Sequence, residues 1–121
     1  MAGKLELTKE NILYLLCRVA VDPMNTIGYT PSTVLHKTFK GSTLFGVRKI
    51  LKRLKEEGLV IGGRDVFYDS EESPYPLIIS GYKITEAAKS TEEYKLAVDD
   101  IDRSMIKIFG PEFSIKGIVW V

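Results

Sequence analysis

The sequence predicts a mainly helical α+β domain: a three-helix core, one small β-hairpin and a long C-terminal helix. Three observations carry that expectation. Residues 42–59 read STLFGVRKILKRLKEEGL, and at 100° per residue Leu44, Val47, Ile50, Leu51 and Leu54 fall on one stripe, with Phe45, Lys49, Lys52 and Arg53 roughly opposite and Arg48 and Lys55 at the flank. Residues 59–68 and 77–84 are rich in β-branched and aromatic side chains and flank the polar, proline-containing stretch DSEESPYP, as a hairpin requires. Tyr94, Val98, Ile101, Met105 and Ile108 recur at spacings of 4, 3, 4 and 3, a heptad stripe on a final helix.

Each element has its own local justification. Thr8 is placed to cap a first helix, with Leu7 and Ile12 as a hydrophobic staple and Ile12, Leu13, Leu16, Val19 and Ala20 as its buried stripe. Pro23 ends that helix near Asp22. Thr30-Pro31 reads as an N-cap followed by a proline in the first helical position, opening a short second helix that runs to about Phe39 and closes at Lys40-Gly41. Ser42 or Thr43 then caps the third helix, so two helices are joined by a tight, glycine-containing turn. Gly58 supplies a left-handed stop, after which LVI switches to a strand-like run. Gly62-Gly63 is expected to bulge or interrupt the first strand. Thr85 is placed to cap the long last helix, which Gly110-Pro111 ends, and the apolar tail FSIKGIVWV follows as an edge strand, an interface segment or the start of a longer chain.

Length and charge bound the rest. A chain of 121 residues, 45% hydrophobic and 27% charged, fits one domain of 8–85 with an appended helix of 86–110 and a tail of 111–121. No apolar run approaches the roughly 20 residues of a membrane span, and the N-terminus lacks an apolar signal segment, so a cytoplasmic protein is expected. The net charge of +1 hides an uneven distribution. Residues 1–29 balance; residues 30–64 hold eight cations against Glu56 and Glu57, a local +6; residues 65–121 hold six cations against eleven acids, a local −5. Positive charge is concentrated on the third helix and its surroundings, where a polyanion could be gripped.

Helix, helix, helix, strand, strand, helix is the element order of the winged helix-turn-helix family, and the chain resembles it over residues 8–95. ILKRLKEEGLV is similar to the recognition helix entering the first wing strand in MarR- and PadR-type transcriptional regulators, and GYKITEAAK to the second wing strand entering the next helix. The resemblance implies a small transcriptional regulator, a repressor in the simplest reading, that binds double-stranded DNA as a symmetric dimer with its third helix in the major groove. Carried to this sequence, it assigns Ser42, Thr43, Phe45, Gly46, Arg48, Lys49 and Lys52 to the groove side, with Arg53, Lys55 and Arg64 placed for phosphates. Arg48 is the natural base reader, since a guanidinium can engage guanine with two parallel hydrogen bonds. Phe45 can touch a thymine methyl or pack beneath the second helix, and Gly46 is either a point of close approach or a weak spot in the helix. Basic helix faces are also commonly just solvated, with Glu56 and Glu57 pairing to Lys52 and Arg53.

The same heptad stripe, Tyr94, Val98, Ile101, Met105 and Ile108, is the expected dimerisation seam; alternatively this helix packs back on the first helix of its own chain. The hairpin tip, Asp69, Ser70, Glu71, Glu72 and Ser73, has the wrong sign for phosphate. That keeps open a second reading, an adaptor that binds protein through the acidic wing and the heptad helix. Enzyme chemistry finds no foothold. His36 has no second histidine or cysteine at metal-ligand spacing, Cys17 is a lone small core residue, and the glycines at 58, 62 and 63 do not sit between a strand and a helix as a phosphate loop requires. No cofactor or metal is indicated; the family resemblance also allows a third reading, a ligand-gated regulator with a small apolar pocket between the last helix and the core, although no residue identifies a ligand.

Overall fold

The computed structural model describes residues 6–25, 28–39, 41–68 and 75–116. Four helices, α1 (Lys9–Val21), α2 (Ser32–Thr38), α3 (Leu44–Glu56) and α4 (Glu92–Phe109), surround one core, and strands β1 (Val60–Phe67) and β2 (Leu77–Ile84) form an antiparallel hairpin. The architecture is therefore mainly helical with a two-stranded hairpin, as the pattern predicts. The hairpin tip (69–74) and the tail beyond Lys116 lie outside the described residues, as does Lys40.

Several local signals act as expected. Thr8 Oγ1 accepts from the Asn11 backbone N–H at 3.1 Å, and Leu7 packs against the core. Thr43 Oγ1 accepts from Gly46 N–H at 3.0 Å, which makes Thr43, not Ser42, the cap of α3. Gly58, at φ 77°, ends α3, and the Leu59 N–H reaches back to the Leu54 carbonyl at 3.0 Å. Ile12, Leu16 and Cys17 of α1, Leu35 and Phe39 at α2, and Val47, Leu51 and Leu54 of α3 are enclosed together with Val60 and Ile84 at the root of the hairpin.

Several expectations need correction. Thr30 is not a helix cap: it forms a β-bridge to Tyr82, donating to its carbonyl at 2.8 Å and accepting from its N–H at 2.9 Å, and Pro31 takes the cap position with no side-chain bond. Thr85 does not open α4. Its hydroxyl donates to the Gly58 carbonyl at 2.6 Å, a 3-10 turn (Glu86–Ser90) follows, and Thr91 caps α4 by accepting from Tyr94 N–H at 3.3 Å. Gly62-Gly63 makes no bulge, since the β1–β2 register runs without interruption from Val60↔Ile84 to Phe67↔Leu77. Val19 is only half-buried and Ala20 is exposed, while Cys17 and Val21 complete the buried stripe of α1.

The largest correction concerns α4. It lies along α1 in the same chain, and Tyr94, Val98 and Ile101 are buried in the common core with relative exposures of 4%, 0% and 6%. Those three side chains close this molecule's own interior and are not available to a second copy. Met105 is partly buried, and only Ile108, 69% exposed, still faces outward. Tyr14 donates to the Asp100 carboxylate and ties α1 to α4, and Arg103, one turn along α4, donates to the same carboxylate. Beyond Gly110 the chain turns back along α4, where Asp102 Oδ1 accepts from the Ser114 hydroxyl at 2.6 Å and from Ile115 N–H at 2.9 Å. Part of the tail is thus accounted for, because Ile115 is buried and Lys116 pairs with Asp99 at 3.0 Å.

Candidate functional site

The amphipathic pattern of α3 decides which side chains reach the surface. Val47, Leu51 and Leu54 point inward, so Phe45, Arg48, Lys49, Lys52, Arg53 and Lys55 must point outward, and all six are exposed. Phe45 stands 77% exposed, which excludes the alternative of packing beneath α2. Glu57 pairs with Lys9 of α1 at 2.8 Å rather than with Arg53. Among the described residues, Lys49, Lys52, Arg53, Lys55 and Arg64 form no ion pair, so their charges are not neutralised by neighbours.

Arg48 and Lys55 line a groove whose other walls are the start of α2 (Pro31, Ser32, Thr33) and the middle of the hairpin (Gly62, Gly63, Ser80, Gly81, Tyr82). Arg48 Nε donates to Ser32 Oγ at a long 3.4 Å, and among the described residues most of its guanidinium donors have no other partner. The strand register puts Arg64 on the same hairpin face as Gly62, Ser80, Tyr82 and the buried Val60 and Ile84, the face turned toward the core. Cations, hydroxyls and glycine backbone therefore share one concave surface. Such a surface can bind a chain of phosphates through charge-assisted bonds and close backbone approach, and among the described residues no acid lines it.

Two of the expected site residues are placed differently. The direction in which a Cβ would leave Gly46 meets Leu7 Cδ2 and Thr43 Oγ1, each at 3.2 Å, so Gly46 makes room for the N-terminal segment and the helix cap instead of facing the groove. Ser42 is half-buried in the turn, where its hydroxyl donates to the Phe39 carbonyl at 2.6 Å and its own carbonyl accepts from His36 Nε2 at 2.9 Å. His36 is a turn-packing residue accordingly.

Sequence reasoning missed the residues that hold the hairpin in place. Asp65 Oδ2 accepts from both Gly28 N–H and Tyr29 N–H at 3.0 Å. The Tyr29 ring lies over Gly63, where a Cβ would come within 2.5 Å of it, and Lys83 Nζ sits 4.8 Å from the ring centre. The available signal was a single acid, beside Arg64, in an otherwise apolar and glycine-rich strand.

Elsewhere the titratable groups have structural explanations. Burial pushes the Cys17 thiol up to about 12, with the Glu93 charge adding to it, and so suppresses the thiolate that reactivity needs. The Ser114 hydroxyl, more than the Ile115 and Lys116 backbone, holds the Asp102 carboxyl below its usual range. Among the described residues no group of three or more His, Cys, Asp or Glu side chains could hold a metal ion, and no helix is long and apolar enough to cross a membrane. No family model, curated protein or solved structure matches this chain, so the reading of its function rests on its own residues and geometry.

Proposed function

We propose that this chain is a winged helix-turn-helix protein that binds duplex DNA with α3 in the major groove, acting as a small transcriptional regulator without a cofactor. The observation that carries the reading is the outward arc of α3: Arg48, Lys49, Lys52, Arg53 and Lys55 are exposed and unpaired among the described residues, beside a groove floored by small hairpin residues. A helix of this width fits the major groove, and the proposal gives Arg48 the base contact and Lys52 and Lys55 the phosphates. Arg64 is a further exposed cation, on the hairpin face that also carries Gly62, Ser80 and Tyr82 of the groove.

The hairpin's outer half is a different kind of surface. Val66, Phe67, Tyr68, Tyr75, Leu77 and Ile78 are exposed there and favour apolar contact over phosphate. DNA affinity in this proposal therefore rests on α3 and the hairpin root, and protein contact through the outer hairpin is the competing reading. Pairing through the α4 stripe is no part of the proposal. A second copy meeting α4 would have to use Ile108, Phe109 and Phe113 at its distal end.

The test compares duplex binding by the wild type with the variant Arg48→Ala, Lys52→Ala and with Lys95→Ala, Lys107→Ala, which removes two exposed cations from α4. The proposal expects the α3 variant to lose at least about tenfold in affinity and the α4 variant to lose little, because each phosphate contact adds to the salt-dependent term. Equal losses would mean that only net charge matters, and the groove reading would fall.

A further inference from the structure

The segment Gly28–Pro31 crosses the hairpin on the face opposite Arg64 and leads directly into Ser32, the first residue of α2. Its seat on the hairpin is built from several independent features. Asp65 takes both the Gly28 and Tyr29 N–H groups on one carboxylate oxygen. Thr30 exchanges two backbone hydrogen bonds with Tyr82. Gly63 and Gly81, directly paired across the strands, are bare where the segment passes: a Cβ on Gly63 would sit 2.5 Å from the Tyr29 ring, and one on Gly81 would sit 2.2 Å from the Thr30 carbonyl oxygen. Three groove walls, the α2 start, the hairpin and α3 with Arg48, thus meet in a geometry that depends on this crossing.

We infer that Asp65 is a positioning residue for nucleic-acid binding: its carboxylate clasps the 28–31 segment onto the hairpin and so sets the width of the groove between the hairpin and α2. The inference rests on the DNA-binding reading above. Asp65 does not line the groove, and it lies on the strand face opposite Arg64, so it acts through the segment it holds. Its consequence runs against simple electrostatics. Neutralising an acid on a domain that grips a polyanion should tighten binding, whereas loosening the clasp lowers the fraction of molecules with the groove correctly spaced and weakens it.

The experiment measures duplex affinity at several salt concentrations for the wild type, Asp65→Asn, Gly63→Ala and the Arg48→Ala, Lys52→Ala variant, with thermal unfolding of each to establish that it is folded. Gly63→Ala disturbs the same clasp by displacing Tyr29 with no change of charge. The expected result is that Asp65→Asn and Gly63→Ala both bind roughly three- to tenfold more weakly, with the wild-type salt slope retained because the phosphate contacts remain the same in number. The Arg48→Ala, Lys52→Ala variant should instead flatten that slope. Unchanged or tighter binding by Asp65→Asn beside a wild type that binds through Arg48 and Lys52 overturns the clasp alone. Failure of the wild type to bind overturns the DNA reading and the clasp with it. Should Gly63→Ala prove unfolded, Asp65→Asn decides by the sign of its change.

Discussion

Alanine substituted at two neighbouring hairpin glycines should have opposite effects on stability, and the reason is visible only in the tertiary structure. Neither Gly62 nor Gly81 has a positive φ, so each backbone can accept alanine, and the lower entropy of the unfolded chain favours the substitution by about 0.4–1 kcal/mol. At Gly62 the nearest atoms to an added Cβ are 3.8 Å away, ordinary contact, so Gly62→Ala should be neutral or slightly stabilising. At Gly81 the Cβ would lie 2.2 Å from the Thr30 carbonyl oxygen and 2.6 Å from Pro31 N, both backbone atoms that cannot swing aside. The segment must lift, breaking the two Thr30–Tyr82 hydrogen bonds, each worth about 0.5–1.5 kcal/mol net. Subtracting the entropic gain leaves a destabilisation on the order of 1–2 kcal/mol, roughly 3–10 °C in thermal midpoint for a chain of this length. Urea and thermal denaturation of the two variants beside the wild type measure this directly. If Gly81→Ala proves as stable as Gly62→Ala, the 28–31 segment does not cross the hairpin as described.

Three further outcomes are expected. Asp102 and Asp100 have folded pKa values below the ordinary carboxylate value of 3.8, the first chiefly through the Ser114 hydroxyl and the second through the Tyr14 hydroxyl. A depressed folded pKa contributes stability above 3.8 and loses it as pH falls through the folded value, so acidification below about pH 4 should destabilise the protein, and Asp102→Asn should make that loss shallower in denaturant titrations at pH 7 and pH 3. Cys17, buried and with its thiol raised to about 12, should react with a thiol reagent only as fast as the protein unfolds; rapid labelling of the native protein would contradict its placement. Leu51→Ala, at a fully enclosed position of α3, should cost about 2–5 kcal/mol in chemical denaturation, and a cost below 1 kcal/mol would mean that α3 does not bury this face.

The features legible in the sequence are those whose cause is local. Thr8 and Thr43 cap the helices next to them, Gly58 stops α3, and the aliphatic period of residues 44–54 fixes which side of α3 is wet. Thr30 and Thr85 carry the same local signal yet serve other partners, because a strand bridge to Tyr82 and the Gly58 carbonyl compete for them. Gly62-Gly63 looked like a bulge for a similar reason, since a glycine needed for close approach of a distant segment is indistinguishable in sequence from one needed for backbone irregularity. The heptad stripe of α4 shows that periodicity reveals a buried face without revealing what covers it, here α1 of the same chain. In the candidate site the cations were legible from charge segregation, whereas Asp65 was not, because its partners are backbone N–H groups 36 and 37 residues away in sequence.

The central claim is that the basic face of α3, with the hairpin root beside it, is where duplex DNA lies. The most direct measurement is a backbone amide NMR titration of the labelled protein with a short duplex near physiological salt. The account predicts shifts concentrated at residues 43–55, with a second set around Gly62, Arg64 and Ser80, while α4 remains silent. Shifts centred instead on the distal end of α4 around Ile108 and Phe113, or on the outer hairpin from Val66 to Ile78, would contradict it.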